Sequence, residues 1–233
     1  MSNRKDHQYF FIIKKQKILF KIFDPINGSS LIKETSVENS SKDHIFYLLE
    51  KFLETNIFKF EKELKNFIKK IYLIFESDTF FEVGSSIKHN LKGINFNYSQ
   101  LNDALIDIKN QIEKHSQKCE IIHMVIKKYT INGVVNEILP ENVEGDNLVT
   151  QVNFICLQNE DVENFRKIFS KYQISINKIL CYEYLKSLNN FSSENIIQIA
   201  NDTINGSNPN EVFIVKKTSK KQGFFEKFFN FFN

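Results

Sequence analysis

The 233 residues include no tryptophan, three prolines, three cysteines and seven glycines, and each scarcity removes a class of protein. The glycines stand at positions 28, 84, 93, 133, 145, 206 and 223, none closer than nine residues to the next. Neither GxGxxG nor GxxxxGK[ST] can therefore be written, and the usual phosphate-cradling loops are absent. Cys119, Cys156 and Cys181 are odd in number, form no CxxC and each lie in an apolar run. They read as reduced core residues of a cytoplasmic protein and not as a disulfide framework. Charge is nearly balanced, with Lys+Arg 31 against Asp+Glu 28, so no nucleic-acid partner is expected. No run approaches the roughly 18 unbroken apolar residues of a spanning helix, and Met1 to Gln8 lacks the apolar region of a secretory signal. The five histidines form no HExxH, and no GxSxG occurs.

What remains is an ordinary globular composition, 42% hydrophobic and 25% charged, long enough for one large domain or two small ones. The 24 phenylalanines, beside abundant Lys, Asn and Ile, carry the mark of a codon bias, so their positions are informative and their number is not. Tyr9–Ile13 and Ile18–Phe23 are β-type runs around a Lys14-Lys15-Gln16-Lys17 turn, and Ser30–Val37 reads as a third strand. Ser40 or Asp43 caps a helix through Ile45, Leu48, Leu49, Phe52 and Leu53, prolonged by Phe60, Leu64 and Phe67. Ile71–Phe75, Phe80–Val83 and Ser86–Leu91 read as strands.

The second half alternates in the same way. Leu101, Ala104, Leu105, Ile108 and Ile112 mark an amphipathic helix after Ser99. Cys119–Ile131 is a long strand ended by the tight-turn pair Asn132-Gly133, and Leu148–Leu157 is its successor. Asn159, Glu160 and Asp161 open a helix through Val162, Phe165, Ile168 and Phe169, acidic at its positive end. Ile174–Tyr182 follows as a strand, Ser192 or Ser193 starts a last helix, and Val212–Val215 closes as a strand. The class is α/β with mixed sheets.

Candidate chemistry is thin. His123 and Cys119 are expected on one strand face, but two ligands do not make a zinc site, and a satisfied core or edge pair is the expected outcome. Glu50 with Glu54, and Glu61 with Glu63, are lysine-flanked and read as a solvated helix face. The sequence offers no catalytic, cofactor-binding or metal-binding residue, and the expectation is a protein that is not an enzyme.

The exception to this plainness is the C-terminal stretch. Lys216-Lys217-Thr218-Ser219-Lys220-Lys221-Gln222-Gly223 is a basic linker, followed by Phe224-Phe225-Glu226-Lys227-Phe228-Phe229-Asn230-Phe231-Phe232-Asn233. At about 100° per residue, the six Phe fall at about −20°, 0°, 40°, 80°, 100° and 140°, one arc of roughly 160°. Glu226, Lys227, Asn230 and Asn233 take the remainder. That is the pattern of a helix lying in a bilayer surface, with lysines just upstream. Burying one Phe is worth roughly 1.5–3 kcal/mol and each Lys near an anionic leaflet about 1 kcal/mol. The expected membrane-binding residues are Phe224, Phe225, Phe228, Phe229, Phe231 and Phe232, with Lys216, Lys217, Lys220, Lys221 and Lys227 meeting anionic lipid. Docking of the Phe stripe into a protein groove is the competing expectation.

Several motifs also carry a family likeness. Tyr98-Ser99-Gln100-Leu101-Asn102-Asp103-Ala104 and Glu120–Gly133, with His123 after two aliphatics, resemble the inserted SHS2-type subdomain of the bacterial cell-division protein FtsA. Glu144-Gly145 before Leu148–Val152, the stretch Asp161–Leu185, and the pair of strands from Ile71 to Lys88 around a Ser85-Ser86 turn are similar to further parts of that family. Gly223–Phe229 is similar to its membrane-targeting C-terminus. The resemblance implies a partial actin-like fold, with 8–95 as a degenerate actin-like subdomain, 96–188 as the SHS2-like subdomain, and 189–215 as a returning helix and strand. Residues 216–223 are then the linker and 224–233 the amphipathic helix.

It also implies an adaptor at the cytoplasmic face of the inner membrane, peripheral, tethering cell-division proteins and open to self-association. Two departures bear on nucleotide: the hairpin Ile12–Ile18 has neither the family's metal-binding Asp nor its glycine, and the second actin-like domain is missing. No cofactor is expected. A PilM-like adaptor of a pilus or secretion assembly, or a degenerate actin-like ATPase, are the alternatives.

Overall fold

A computed structural model describes residues 7–15, 17–24, 28–36, 42–92, 96, 98–115, 118–140, 143, 145–188 and 196–213. The expected linker and terminal helix, and Ser40, Ser192 and Ser193, lie outside the described residues.

Two sheets carry the fold. Strand β1 (Gln8–Lys14) turns back into β2 (Lys17–Asp24), and β3 (Gly28–Ser36) continues the meander. With β4 (Lys70–Phe75) and β9 (Ser175–Cys181) they form a sheet ordered β3-β2-β1-β4-β9, in which β2 alone is antiparallel to its neighbours. The unbroken apolar run of β1 has a physical cause, since this sheet is buried on both faces. Tyr9, Phe11 and Ile13 enter one core, and Phe10 and Ile12 enter the other. Helices α1 (Lys42–Leu64) and α3 (Asn159–Ser170) cover the first face through Leu49, Phe52, Phe165 and Phe169; α4 (Tyr182–Leu188) and α5 (Ile196–Ile204) cover the second through Leu185, Ile197 and Ala200.

Between β4 and β9 the chain builds the second, antiparallel sheet, ordered β5-β8-β6-β7: β5 (Phe81–Asn90), β6 (Cys119–Ile131), β7 (Val134–Asn136) and β8 (Asn147–Gln158). Helix α2 (Tyr98–His115) seats Leu101, Leu105 and Ile112 on one face of it, against Met124, Ile126 and Phe154. On the opposite face, Ile122 and Leu157 enter the first sheet's core, and Val125 and Ile155 enter the second. The class is α/β, with the strands of the second sheet inserted in the chain between β4 and β9 of the first.

Four local expectations are corrected. The expected strands Phe80–Val83 and Ser86–Leu91 are one, β5: Ser85 and Ser86 lie mid-strand, and it pairs with β8 without a register break. A Cβ at Gly84 would meet Asn153 Oδ1 at 3.5 Å, an ordinary contact, so nothing at this position requires glycine. β5 thus belongs to the second sheet, although the sequence reading grouped it with the first subdomain. Helix α1 stops at Leu64, where Lys65 takes a left-handed φ of 50°, so Phe67 does not prolong it and is 73% exposed. Of the expected strand 212–215, the described residues Val212 and Phe213 lie in no strand; a single bridge precedes them, from Glu211 to Val125.

Candidate functional site

The fourth correction concerns His123. A β-bulge at Ile122, where the register jumps between Ile121 and His123, inserts one residue and reverses the faces beyond it. Cys119 therefore packs with Cys156 in the α2 core, while His123 faces the first sheet. Burial, with Cys119 alongside, pushes the Cys156 thiol up to about 12.

His123 is the hub of a buried polar cluster. Its Nδ1 lies 2.8 Å from Glu211 Oε1, and its Nε2 accepts the Cys181 N–H at 3.0 Å. Because Nε2 accepts, the proton sits on Nδ1 and is donated to the Glu211 carboxylate. Tyr184 OH donates to Glu211 Oε2 (3.0 Å) and accepts from Asn208 Nδ2 (2.9 Å). Lys178 Nζ stands 3.6 Å from Glu211 Oε1 and 4.1 Å from the centre of the Phe213 ring.

The electrostatics agree with a neutral imidazole beside a carboxylate. Burial holds the His123 pKa below its ordinary value, despite the opposing pull of Glu211. Burial alone would raise Glu211, but hydrogen bonds from His123 and Tyr184 and the charge of Lys178 bring it below the usual carboxylate range. Burial lowers Lys178 and raises Tyr184. The His123 and Glu211 side chains are 0% and 1% exposed. The adjoining cavity of about 150 Å³, lined by Lys109, Met124, Lys178 and Phe213 among others, is below the roughly 300 Å³ at which ligand pockets begin. The cluster's chemistry is cohesive: it fastens β6 of one sheet to β9, α4 and residues 207–213.

Ligands of open α/β sheets gather at the carboxyl ends of parallel strands. Here those ends hold Lys14, whose amine donates to Tyr182 OH at 2.7 Å, and Lys15, 2.8 Å from Asp78. Thr79 donates to the buried Asp161 at 2.7 Å. The residues present do not fit a nucleotide's phosphates: the β1–β2 turn has no glycine, and its lysines already engage the loop after β4 and the start of α4. Among the described residues, no three His, Cys, Asp or Glu side chains are placed to hold a metal ion.

The paired glutamates disperse along α1. Glu50 meets Lys171 at 2.6 Å and Glu54 meets Lys51 at 3.2 Å, all exposed, while Glu61 accepts the Ile68 N–H beyond the helix end. All eleven expected membrane-binding residues lie outside the described residues. Sequence reasoning singled out His123 but missed Glu211, Tyr184 and Lys178. The one local signal was Glu211 itself, an acid in front of Val212-Phe213-Ile214-Val215.

No family model matches the sequence, and no curated protein does. Among solved structures, the chain is similar to a PilM–PilN type IV pilus biogenesis complex, with 8% identity and a TM-score of 0.45 over 76% of this chain and 48% of that one. It is also similar to the cytoplasmic domain of EpsL, an inner membrane component of the type II secretion system of Vibrio cholerae. There the identity is 5% and the TM-score 0.36, over 77% of this chain and 57% of that one. The chain spans about half the length of the solved structures it matches. Among the described residues, no helix is long and apolar enough to cross a membrane.

Proposed function

We propose that the protein is a peripheral adaptor without catalytic activity, held to the cytoplasmic face of a membrane by its C-terminal segment. The observation that carries this reading is the distribution of six phenylalanines over one helical arc, directly after a lysine-rich linker. An isolated helix of ten residues is marginal in water, so its folding is coupled to insertion of the rings. Partners in this reading are cell-division proteins, as the FtsA resemblance implies. A pilus or secretion assembly is the second reading, and cross-linked partners of the full chain separate the two. Deletion of 96–188 is unsuited to that purpose because it removes β9 from the first sheet.

Flotation with vesicles containing anionic lipid tests the anchor. The full chain is expected to float, less so at high salt, and a chain ending at Gln222 to remain at the bottom. Equal behaviour of the two forms overturns the reading.

A further inference from the structure

The second sheet treats its two sides differently. β6 bears two bulges, and the part of its edge that β7 leaves open is covered by residues 210–212. Ile126 N–H donates to Asn210 O at 2.7 Å and Val212 N–H to Met124 O at 2.9 Å. β7 itself is only three residues long. The opposite edge is β5, ten residues with no proline and no register break against β8, and among the described residues nothing pairs with its outer side. Short length, bulges, proline, covering segments and charged side chains are the devices that keep edges from pairing; among the described residues β5 has only the last, Glu82 and Lys88.

The sequence of β5 is also self-complementary about Ser85. Reading outward, Gly84 is matched by Ser86, Val83 by Ile87, and Glu82 by Lys88. Side chains alternate between faces, so Val83 and Ile87 share the α2 side, while Glu82 and Lys88 are exposed on the other. A twofold axis normal to the sheet and passing beside Ser85 places Glu82 opposite Lys88 of the second copy, and Val83 opposite Ile87, each pair occurring twice. Opposite charges and apolar side chains directly across an antiparallel pair both stabilise it. The adjacent registers of the same symmetry set Glu82 against Ser86 or Asn90, and the charges no longer meet. Within one chain, Glu82 accepts from the Asn153 side chain on β8.

We propose that β5 pairs antiparallel with β5 of a second copy of this chain, centred on Ser85, joining two four-stranded sheets into one of eight. The interface is isologous and closes as a dimer.

The test uses the full chain in sedimentation over a range of concentrations, with circular dichroism confirming that each variant is folded. Glu82→Lys and Lys88→Glu are each expected to weaken dimerisation about tenfold, because two attractive pairs become repulsive. The double variant E82K/K88E is expected to restore it to within about threefold. Independently, Ser85→Cys is expected to form an intermolecular disulfide under mild oxidation and Ser86→Cys is not, since position 85 alone faces itself across the axis. The native cysteines are buried. A chain that stays monomeric, as it would if β5 served an extended peptide of another protein, overturns the proposal. So does association indifferent to both charge variants, the behaviour of tail-driven clustering, or equal cross-linking at 85 and 86.

Discussion

His123 shows how one side chain can hold a large share of the architecture. It satisfies a carboxylate on the C-terminal segment and a backbone N–H at the end of β9, so truncation leaves two buried polar groups without their partner. Each such loss costs about 1–3 kcal/mol. His123→Ala is therefore expected to lower stability by about 2–4 kcal/mol in urea unfolding. Acid adds a second signature. Because burial depresses the folded pKa of His123, the unfolded chain takes up a proton near the ordinary value of about 6.5 that the folded chain refuses. Stability is then flat above that pH and falls as pH drops from there toward the depressed value. Glu211, also lowered, extends the loss below about pH 4.5. His89 is lowered by burial as well, so the diagnostic quantity is the slope between pH 6.5 and 5 in the native chain minus that in His123→Ala. A difference of zero would place the proton uptake elsewhere.

Among the elements, the hairpin after β6 was legible in the sequence, and its neighbourhood explains why. Asn132 and Gly133 both take positive φ, 47° and 88°, the pairing that a two-residue hairpin demands. The β-type run Cys119–Ile131 that they end has the observed bounds of β6. The Asn132 side chain does more than turn: its Oδ1 accepts the N–H groups of Asp146 and Asn147, 3.1 Å each, fixing where β8 begins. Gly145, at φ 155°, lies against it, and a Cβ there would come within 2.8 Å of Asn132 Nδ2. Gly145→Ala is expected to cost about 1–3 kcal/mol, and about half of that in an Asn132→Ala background, where the obstructing amide is gone; urea midpoints of the four chains measure the coupling. β5 was misread for the opposite reason. Gly84, Ser85 and Ser86 are turn-type residues, and only the ladder with β8, some 70 residues away, keeps them extended. The bulge at Ile122 was equally invisible, because Ile121, Ile122 and the residues after His123 are apolar on either phase. Glu211 reaches His123 across 88 residues, a distance no local pattern encodes.

At the scale of the whole molecule, the two sheets are not separable bodies. Ile122 and Leu157 of the second sheet are members of the first sheet's core, and Val125 and Ile155 of the other. Urea unfolding followed by far-ultraviolet circular dichroism and by tyrosine fluorescence is accordingly expected to give coincident single transitions; two separated steps would show that the sheets fold apart. The nesting that produces this unity also sets a timetable. The last strand of the first sheet begins about a hundred residues after β4 ends, so at roughly 5–20 residues per second a nascent chain waits about 5–20 seconds for it. Throughout that interval Leu73 and Ile74 have a β1 neighbour but no β9, and the emerging polypeptide depends on whatever shields β4 at the ribosome.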